Sequence, residues 1–213
     1  MAPGSMAGGM TEIYQEGLRI PPIRIAKNHE ILDDVLDLVL LNVRVPEERK
    51  GAYMAQIAAN KLGARRLQEL FTKWTREQIS EGCTGIIEAV TRRMRAGIAD
   101  LPDGRYEFTD VLDDDGMGTT NIPICVKIDI QSDEIWFNFE GSASQVAGNM
   151  NNSFAGLQAS VLFALKVLID PDGPTNHGML DPVHIDAPEA SVVNASFPAA
   201  TAARAQTCQR IID

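Results

Sequence analysis

Between Gly104 and Phe139 apolar and polar residues take turns, and this alternation constrains the fold more than any other feature of the chain. Ile122, Ile124, Val126, Ile128 and Ile130 alternate with Pro123, Cys125, Lys127 and Asp129. Tyr106, Phe108 and Leu112 alternate with Arg105, Glu107 and Thr109, and Ile135, Phe137 and Phe139 share one face of a further segment. Successive side chains of a strand point to opposite faces. Period two over three segments joined by polar turns therefore predicts an antiparallel meander with one buried face.

Upstream the period is helical. Residues 1–12 read as loop, and Leu18–Ile25 as an extended segment around Pro21 and Pro22, which cannot donate to a ladder. From Asn28, a candidate cap, Ile31, Val35, Leu38 and Val39 fall on one helix face and Asp33, Asp34 and Asp37 on the other. Pro46-Glu47-Glu48 starts a second helix, with acids at its positive dipole end. Its inward stripe is Met54, Ile57, Ala58 and Leu62, continued by Leu67, Leu70 and Phe71. A third helix runs from about Arg76 to Ala99, with Ile79, Ile86, Ile87, Val90, Met94 and Ile98 inward. Leu101-Pro102-Asp103-Gly104 ends it. After the meander a helix is expected over roughly Phe154–Ile169, then short strands at Val183–Ile185 and Val192–Val193. The fold class is α+β, a helical layer followed by an antiparallel sheet with an inserted helix. Residues 1–102 form a loop plus helical region and residues 103–213 a β-rich region with one helix.

With 213 residues, 45% of them hydrophobic and 23% charged, the chain is neither a disordered tail nor a disulfide-stapled miniature. No apolar run reaches the length of a membrane span, and no secretory signal stands at the start. Cys83, Cys125 and Cys208, odd in number and widely spaced, fit free thiols in the cytoplasm better than a disulfide or zinc framework. Residues 1–102 hold 14 basic against 13 acidic side chains, whereas residues 103–213 hold 5 against 16. The acidic second half would repel a phosphate backbone, so nucleic acid is not expected as a partner. Neither is a membrane.

Candidate sites are few, and each has a simpler reading beside it. Asp113-Asp114-Asp115-Gly116 could offer carboxylates to a hard cation, but it lacks EF-hand spacing, and a polar hairpin loop explains it. Glu12 and Glu16, four apart, could be acid–base or metal groups, or a solvated loop pair. Asn149, Asn151 and Asn152 precede an apolar helix and could orient a polar substrate, or cap the helix and make a turn. His29, His177 and His184 form no H-x-x-H pair. None of the cysteines has a neighbouring His or basic cluster to make a thiolate. Neither G-x-x-x-x-G-K-[ST] nor G-x-G-x-x-G occurs, so ATP, if used, is expected on another chain.

Longer words in the sequence carry a resemblance. Glu12-Ile13-Tyr14-Gln15-Glu16-Gly17-Leu18-Arg19-Ile20-Pro21-Pro22 resembles a signature of the hydantoinase B / 5-oxoprolinase family, which includes N-methylhydantoinase B-type subunits. So do LNVRVPEERKGAYMAQIAANKLGARRLQEL (41–70), RRMRAGIADLPDGRYEFTDVLDDDG (92–116), DEIWFNFEGSASQV (133–146) and ALKVLIDPDGPTNHG (164–178). HIDAPEASVVNASFPA (184–199) and TCQRIID (207–213) continue the likeness in the same order. The resemblance implies a B-type subunit that pairs with a hydantoinase A-type ATPase subunit in a hetero-oligomer. Together they open a small cyclic amide such as a hydantoin or 5-oxoproline. Related acetone and acetophenone carboxylases are built from similar subunits, which leaves a carboxylase subunit, or a non-catalytic docking fragment, as alternatives.

The same resemblance implies an internal fragment. Family members run on upstream through an H-x-x-D motif and continue beyond Asp213, so the implied divalent-metal ligands are missing here and the fragment alone is expected to be inactive. At Arg19 some relatives carry a His that resembles a further metal ligand. Arginine stays protonated and cannot ligate, so Arg19 is instead a candidate clamp for an anion or a carbonyl oxygen. Glu12, Glu16 and Arg19 are thus the implied catalytic residues, and Asn149 and Asn151 the substrate-binding ones. A chain cut within a larger domain is also expected to leave apolar surface uncovered and to self-associate.

Overall fold

The computed structural model describes residues 9–27 and 30–213. They form two compact units: Gly17–Thr84, and the segment up to Glu16 together with Gly85–Asp213.

In the first unit, β1 (Ala26–Lys27) and β2 (Glu30–Ile31) pair antiparallel. Helix α1 (Asp33–Leu41) follows and buries Leu36 and Val39. It starts five residues later than the apolar spacing predicts. Ile31 is held in β2, the Leu32 amide donates to the Ile25 carbonyl, and Asp33 and Asp34 occupy the first turn, where the dipole favours acids. The expected cap Asn28, and His29, lie outside the described residues. Leu18–Ile25 forms no strand; pairing begins at Ala26. Helix α2 (Pro46–Phe71) starts at Pro46 as the sequence predicts, but none of its residues is buried. Leu62, Leu67, Leu70 and Phe71 are exposed, because charged residues are spread around the helix and leave no continuous apolar face.

Helix α3 (Arg76–Ala99) runs through the division and buries Val90, Met94 and Ile98, whereas Ile86 and Ile87, expected inward, are exposed. The second unit is built on a four-stranded sheet ordered β3 (Gly104–Asp114), β4 (Thr120–Gln131), β5 (Glu134–Asn138) and β6 (Val183–Asp186). The first three strands form the antiparallel meander, with Phe108 opposite Val126 and Ile128 opposite Phe137. The fourth joins β5 in parallel, Ile135 opposite Val183. Parallel pairing requires a crossover, and helix α4 (Phe154–Ile169) lies within it. The core gathers Ile122, Ile124, Ile130, Ile135 and Phe137 from the sheet with Leu157, Val161 and Leu165 from α4. Each such buried side chain contributes about 1.5–3 kcal/mol. Helices α3 and α4 approach closely at Gly97, where a Cβ would stand 2.0 Å from Cγ2 of Ile169. Arg93 reinforces that contact through two bonds of 2.7 and 2.6 Å to the Asp170 carboxylate.

Val192 and Val193 are fully buried but form no strand; only Ser191 beside them makes isolated bridges, to Ser144 and Asn194. A last helix, α5 (Arg204–Ile212), was not expected. Among the described residues no helix is long and apolar enough to cross a membrane.

Candidate functional site

Four stretches far apart in sequence meet within the second unit: 11–16, 113–119, 146–152 and 196–208. Asp115 closes the β3–β4 hairpin. Its Oδ1 accepts from the Met117 and Thr119 amides, both at 2.9 Å, and its Oδ2 accepts from the Gly148 amide at 3.1 Å. The side chain is 4% exposed. Burial pushes its pKa up, but the Met117, Gly148 and Thr119 amides outweigh burial and hold the carboxyl below the usual range. A Cβ on Gly148 would lie 2.0 Å from the Asp115 carbonyl oxygen, so glycine is what lets the two segments touch. Asp113 and Asp114 are exposed, and Asp114 Oδ1 accepts from the Gly116 amide at 2.7 Å. The acidic run is therefore the polar hairpin loop.

The asparagine turn is buried rather than open. Asn151 and Asn152 are 0% exposed and Asn149 is 2% exposed. Asn151 Oδ1 accepts from the Val146 amide at 2.8 Å, while Nδ2 donates to the Val146, Gly148 and Ala200 carbonyls at 2.9, 2.9 and 3.0 Å. Asn152 uses its main chain, donating to the Val192 carbonyl at 2.7 Å and accepting from the Ala195 amide at 2.8 Å. Its Nδ2 reaches Cys208 Sγ at 3.4 Å. Ser153, not an asparagine, caps α4 by accepting from the Gly156 amide at 3.2 Å.

Residues 199–203 are the hub. The Ala203 amide donates to the Asn149 carbonyl at 2.9 Å, and Ala200 receives Asn151. From the other side comes the segment ending at Glu16. The Ile13 amide donates to the Pro198 carbonyl at 2.9 Å, Glu12 bridges Ala199 through the backbone, and Tyr14 meets Phe197 edge to face at 5.7 Å. The half-buried Glu16 carboxylate accepts from the Thr201 amide at 2.6 Å, the Ala202 amide at 2.5 Å and the Thr201 hydroxyl at 3.3 Å. So Glu12, Glu16, Asn149 and Asn151, chosen from separate words of the sequence, converge on one five-residue segment. Glu12 is exposed there. Arg19 is exposed and belongs to the unit formed by Gly17–Thr84.

Thr207 belongs to this network and was missed: fully buried, it donates to the Met150 carbonyl. Its helix could have been found from Ala203, Thr207 and Ile211, spaced four apart in a stretch of good helix formers. Beside the network lies a polar cleft of about 680 Å³, lined by Asp113, Asp114, Asn149, Gln206 and Arg210 among others. A second cavity of about 600 Å³ lies on the inner sheet face, lined mainly by apolar residues such as Phe108, Ile128, Phe137, Leu165 and Leu168, with Asp110 and Arg210 among its few polar groups. Among the described residues no group of three His, Cys, Asp or Glu side chains stands where it could hold a metal ion. His177 and His184 are both exposed; His184 stacks on Trp136 and meets Glu134 at 3.0 Å, a surface pairing across β5 and β6. All three cysteines are free thiols.

Comparison with known proteins gives this geometry a context. A family model described as Hydantoinase B/oxoprolinase matches residues 1–213. The caprolactamase subunit beta of Pseudomonas jessenii is 35% identical over 190 residues, covering 88% of this chain and 32% of that protein. The crystal structure of ATP-dependent caprolactamase from Pseudomonas jessenii superposes with a TM-score of 0.91 at 30% identity, covering 97% of this chain and 36% of that one. A nucleotide-free acetone carboxylase structure superposes with a TM-score of 0.85 at 17% identity, over 95% of this chain and 28% of that one, and shares the fold. The chain spans about a third of the length of the proteins it resembles.

Proposed function

The chain belongs to the Hydantoinase B/oxoprolinase family, and from that membership we propose that it is part of the B-type subunit of a cytoplasmic, ATP-dependent cyclic-amide hydrolase. The whole-chain family match carries this reading. The similarity to a caprolactamase subunit supports the reaction class, and the free thiols accord with a reducing compartment. The substrate is a small ring of the hydantoin or 5-oxoproline kind. The partner is an A-type ATPase subunit, which binds the nucleotide; this chain carries no glycine-rich phosphate loop of its own.

The chemistry explains why two subunits are needed. An unstrained lactam is resonance-stabilised and its amine leaves poorly. Transfer of the γ-phosphoryl group of ATP to the amide oxygen releases ADP and splits one hard step into two easier ones. Water then adds to the activated carbon, the ring C–N bond breaks with a proton delivered to nitrogen to leave an acyl phosphate, and a second water hydrolyses that to the carboxylate and free phosphate. The B subunit's task is to hold the ring, place the water and move the protons. Glu12 and Arg19 are the side chains proposed to face this chemistry, Glu12 as a proton carrier and Arg19 as a clamp on the activated oxygen or a substrate carboxylate.

The test is ring opening of 5-oxoproline and of hydantoins by this chain with an A-type subunit and ATP, beside a full-length B-type relative. Turnover locates the necessary groups within residues 1–213. Silence beside an active control shows that the hydrolytic step needs residues outside this chain. ATP turnover that depends on bicarbonate and a ketone would replace the hydrolase reading by a carboxylase.

A further inference from the structure

Glu16 sits in the word of sequence assigned to the chemistry, yet its carboxylate faces main chain. Both oxygens are engaged: Oε1 receives the Thr201 and Ala202 amides at 2.6 and 2.5 Å, and Oε2 receives the Thr201 hydroxyl at 3.3 Å. These amides stand immediately before α5, whose N-cap position is Ala203, a residue with no side-chain acceptor. Amides just ahead of a helix have no partner within it, and a carboxylate makes strong, charge-assisted bonds to them. We propose that Glu16 is a positioning residue that holds, from a distant segment, the two amides leading into α5. It thereby locks the segment carrying Glu12 onto the hub that also holds Asn149 and Asn151.

Three observations beyond the carboxylate support this assignment. The same segment is fixed twice more, by the Ile13 amide on the Pro198 carbonyl and by the Glu12–Ala199 bridge, so Glu16 is the last of a row of attachments. Gln15 Oε1 accepts from the Thr11 and Glu12 amides at 2.7 and 3.1 Å, which stiffens the turn that aims Glu16. The Ala200 carbonyl and the Ala203 amide are taken by the asparagine turn, so the hub is held by both segments. The assignment of activity to this segment rests on the function proposed above; the lock itself does not.

The experiment separates the two. Amide hydrogen exchange is followed residue by residue in the 213-residue chain for wild type, Glu16→Gln and Glu16→Ala, with ring opening assayed in parallel alongside the A-type subunit. A charge-assisted bond lost at a local site raises exchange about tenfold or more. Glu16→Ala is expected to do so at Thr201 and Ala202 and at Ile13, while the amides of β4 and β5 keep their protection. Glu16→Gln, which still presents one acceptor oxygen, falls between. If the wild-type chain turns over, activity follows exchange across the series, with Glu16→Gln retaining much of it. Unchanged exchange at Thr201 and Ala202 in both variants overturns the lock. Glu16→Gln as inactive as Glu16→Ala, with near-normal exchange, makes Glu16 a chemical group instead. An inactive wild type refutes activity in this chain and leaves the exchange result to decide the lock.

Discussion

At the scale of single residues, the second unit is organised by polar side chains that serve the backbone. Asp115 holds three amides, Asn151 ties four main-chain groups and Glu16 holds two amides and a hydroxyl. Buried polar groups are as a rule paired, and these are paired with groups that no strand or helix satisfies, whereas Asn152 Oδ1 is buried without a partner. Asp115 has a consequence that can be measured. Its carboxyl titrates below the unfolded value of about 3.9 because the amides of Met117, Gly148 and Thr119 outweigh burial. A depressed folded pKa adds stability that is complete above the unfolded value and disappears as pH falls through the folded one. Asp115→Asn, which turns an amide donor toward Gly148, is expected to cost about 1.5–3 kcal/mol at neutral pH. In urea unfolding the gap between variant and wild type should close as pH drops below about 4. A gap that stays constant over that range removes the charge from the argument. Arg19 belongs to the proposed chemistry. Arg19→Lys keeps the charge but loses the two-pronged geometry, so turnover should fall about tenfold or more in an active assembly. Wild-type kinetics would take Arg19 out of the site.

The element scale shows which contacts cannot be altered. Helices α3 and α4 meet where Gly97 faces Ile169, at a distance that excludes any side chain on residue 97. Gly97→Ala is a better helix former in isolation, by about 1 kcal/mol, but here it forces a stiff β-branched neighbour to move. Overpacking costs about 1–3 kcal/mol, so the net change should be destabilising. Adding Ile169→Ala should recover part of the loss, and a double-mutant cycle measures how much. Strict additivity would mean that the two residues do not meet. The same scale shows what a sequence reveals. The meander was legible because Ile122–Ile130 alternate without a break, and α4 because an apolar run from Phe154 to Ile169 is closed by Asp170-Pro171. The parallel docking of β6 was not, since Val183 and Ile185 look the same in either direction. Helix α5 was hidden by its few apolar residues, and the burial of Asn149, Asn151 and Asn152 by the rule that asparagine favours turns. What positions the candidate site is mostly main chain, which composition does not record. Glu16 could be picked out as a word but not as a clamp, because its partners lie 185 and 186 residues away.

For the molecule as a whole, exposed apolar surface and net charge pull in opposite directions. The sheet's inner face carries an open apolar cavity, where Phe108 of β3 is 62% exposed and Leu168 of α4 is 68% exposed. An open apolar cavity of about 600 Å³ beside an edge strand favours association. A formal charge of −10 opposes it through repulsion that acts over about 10 Å at 0.1 M salt and about 3 Å at 1 M. Salt therefore separates the two contributions, because it screens the charge and leaves the apolar attraction intact. The chain is expected to exceed its monomer mass of 23.2 kDa in light scattering, and to do so more at 1 M than at 0.1 M salt. Phe108→Glu and Leu168→Glu place charge on the open face at positions with little packing to lose. Either should lower the apparent mass while leaving the thermal transition nearly unchanged. A single monomer at every salt and protein concentration would mean that the face along β3 is too small to drive contact. Association that weakens with salt would locate the contact among charged groups instead.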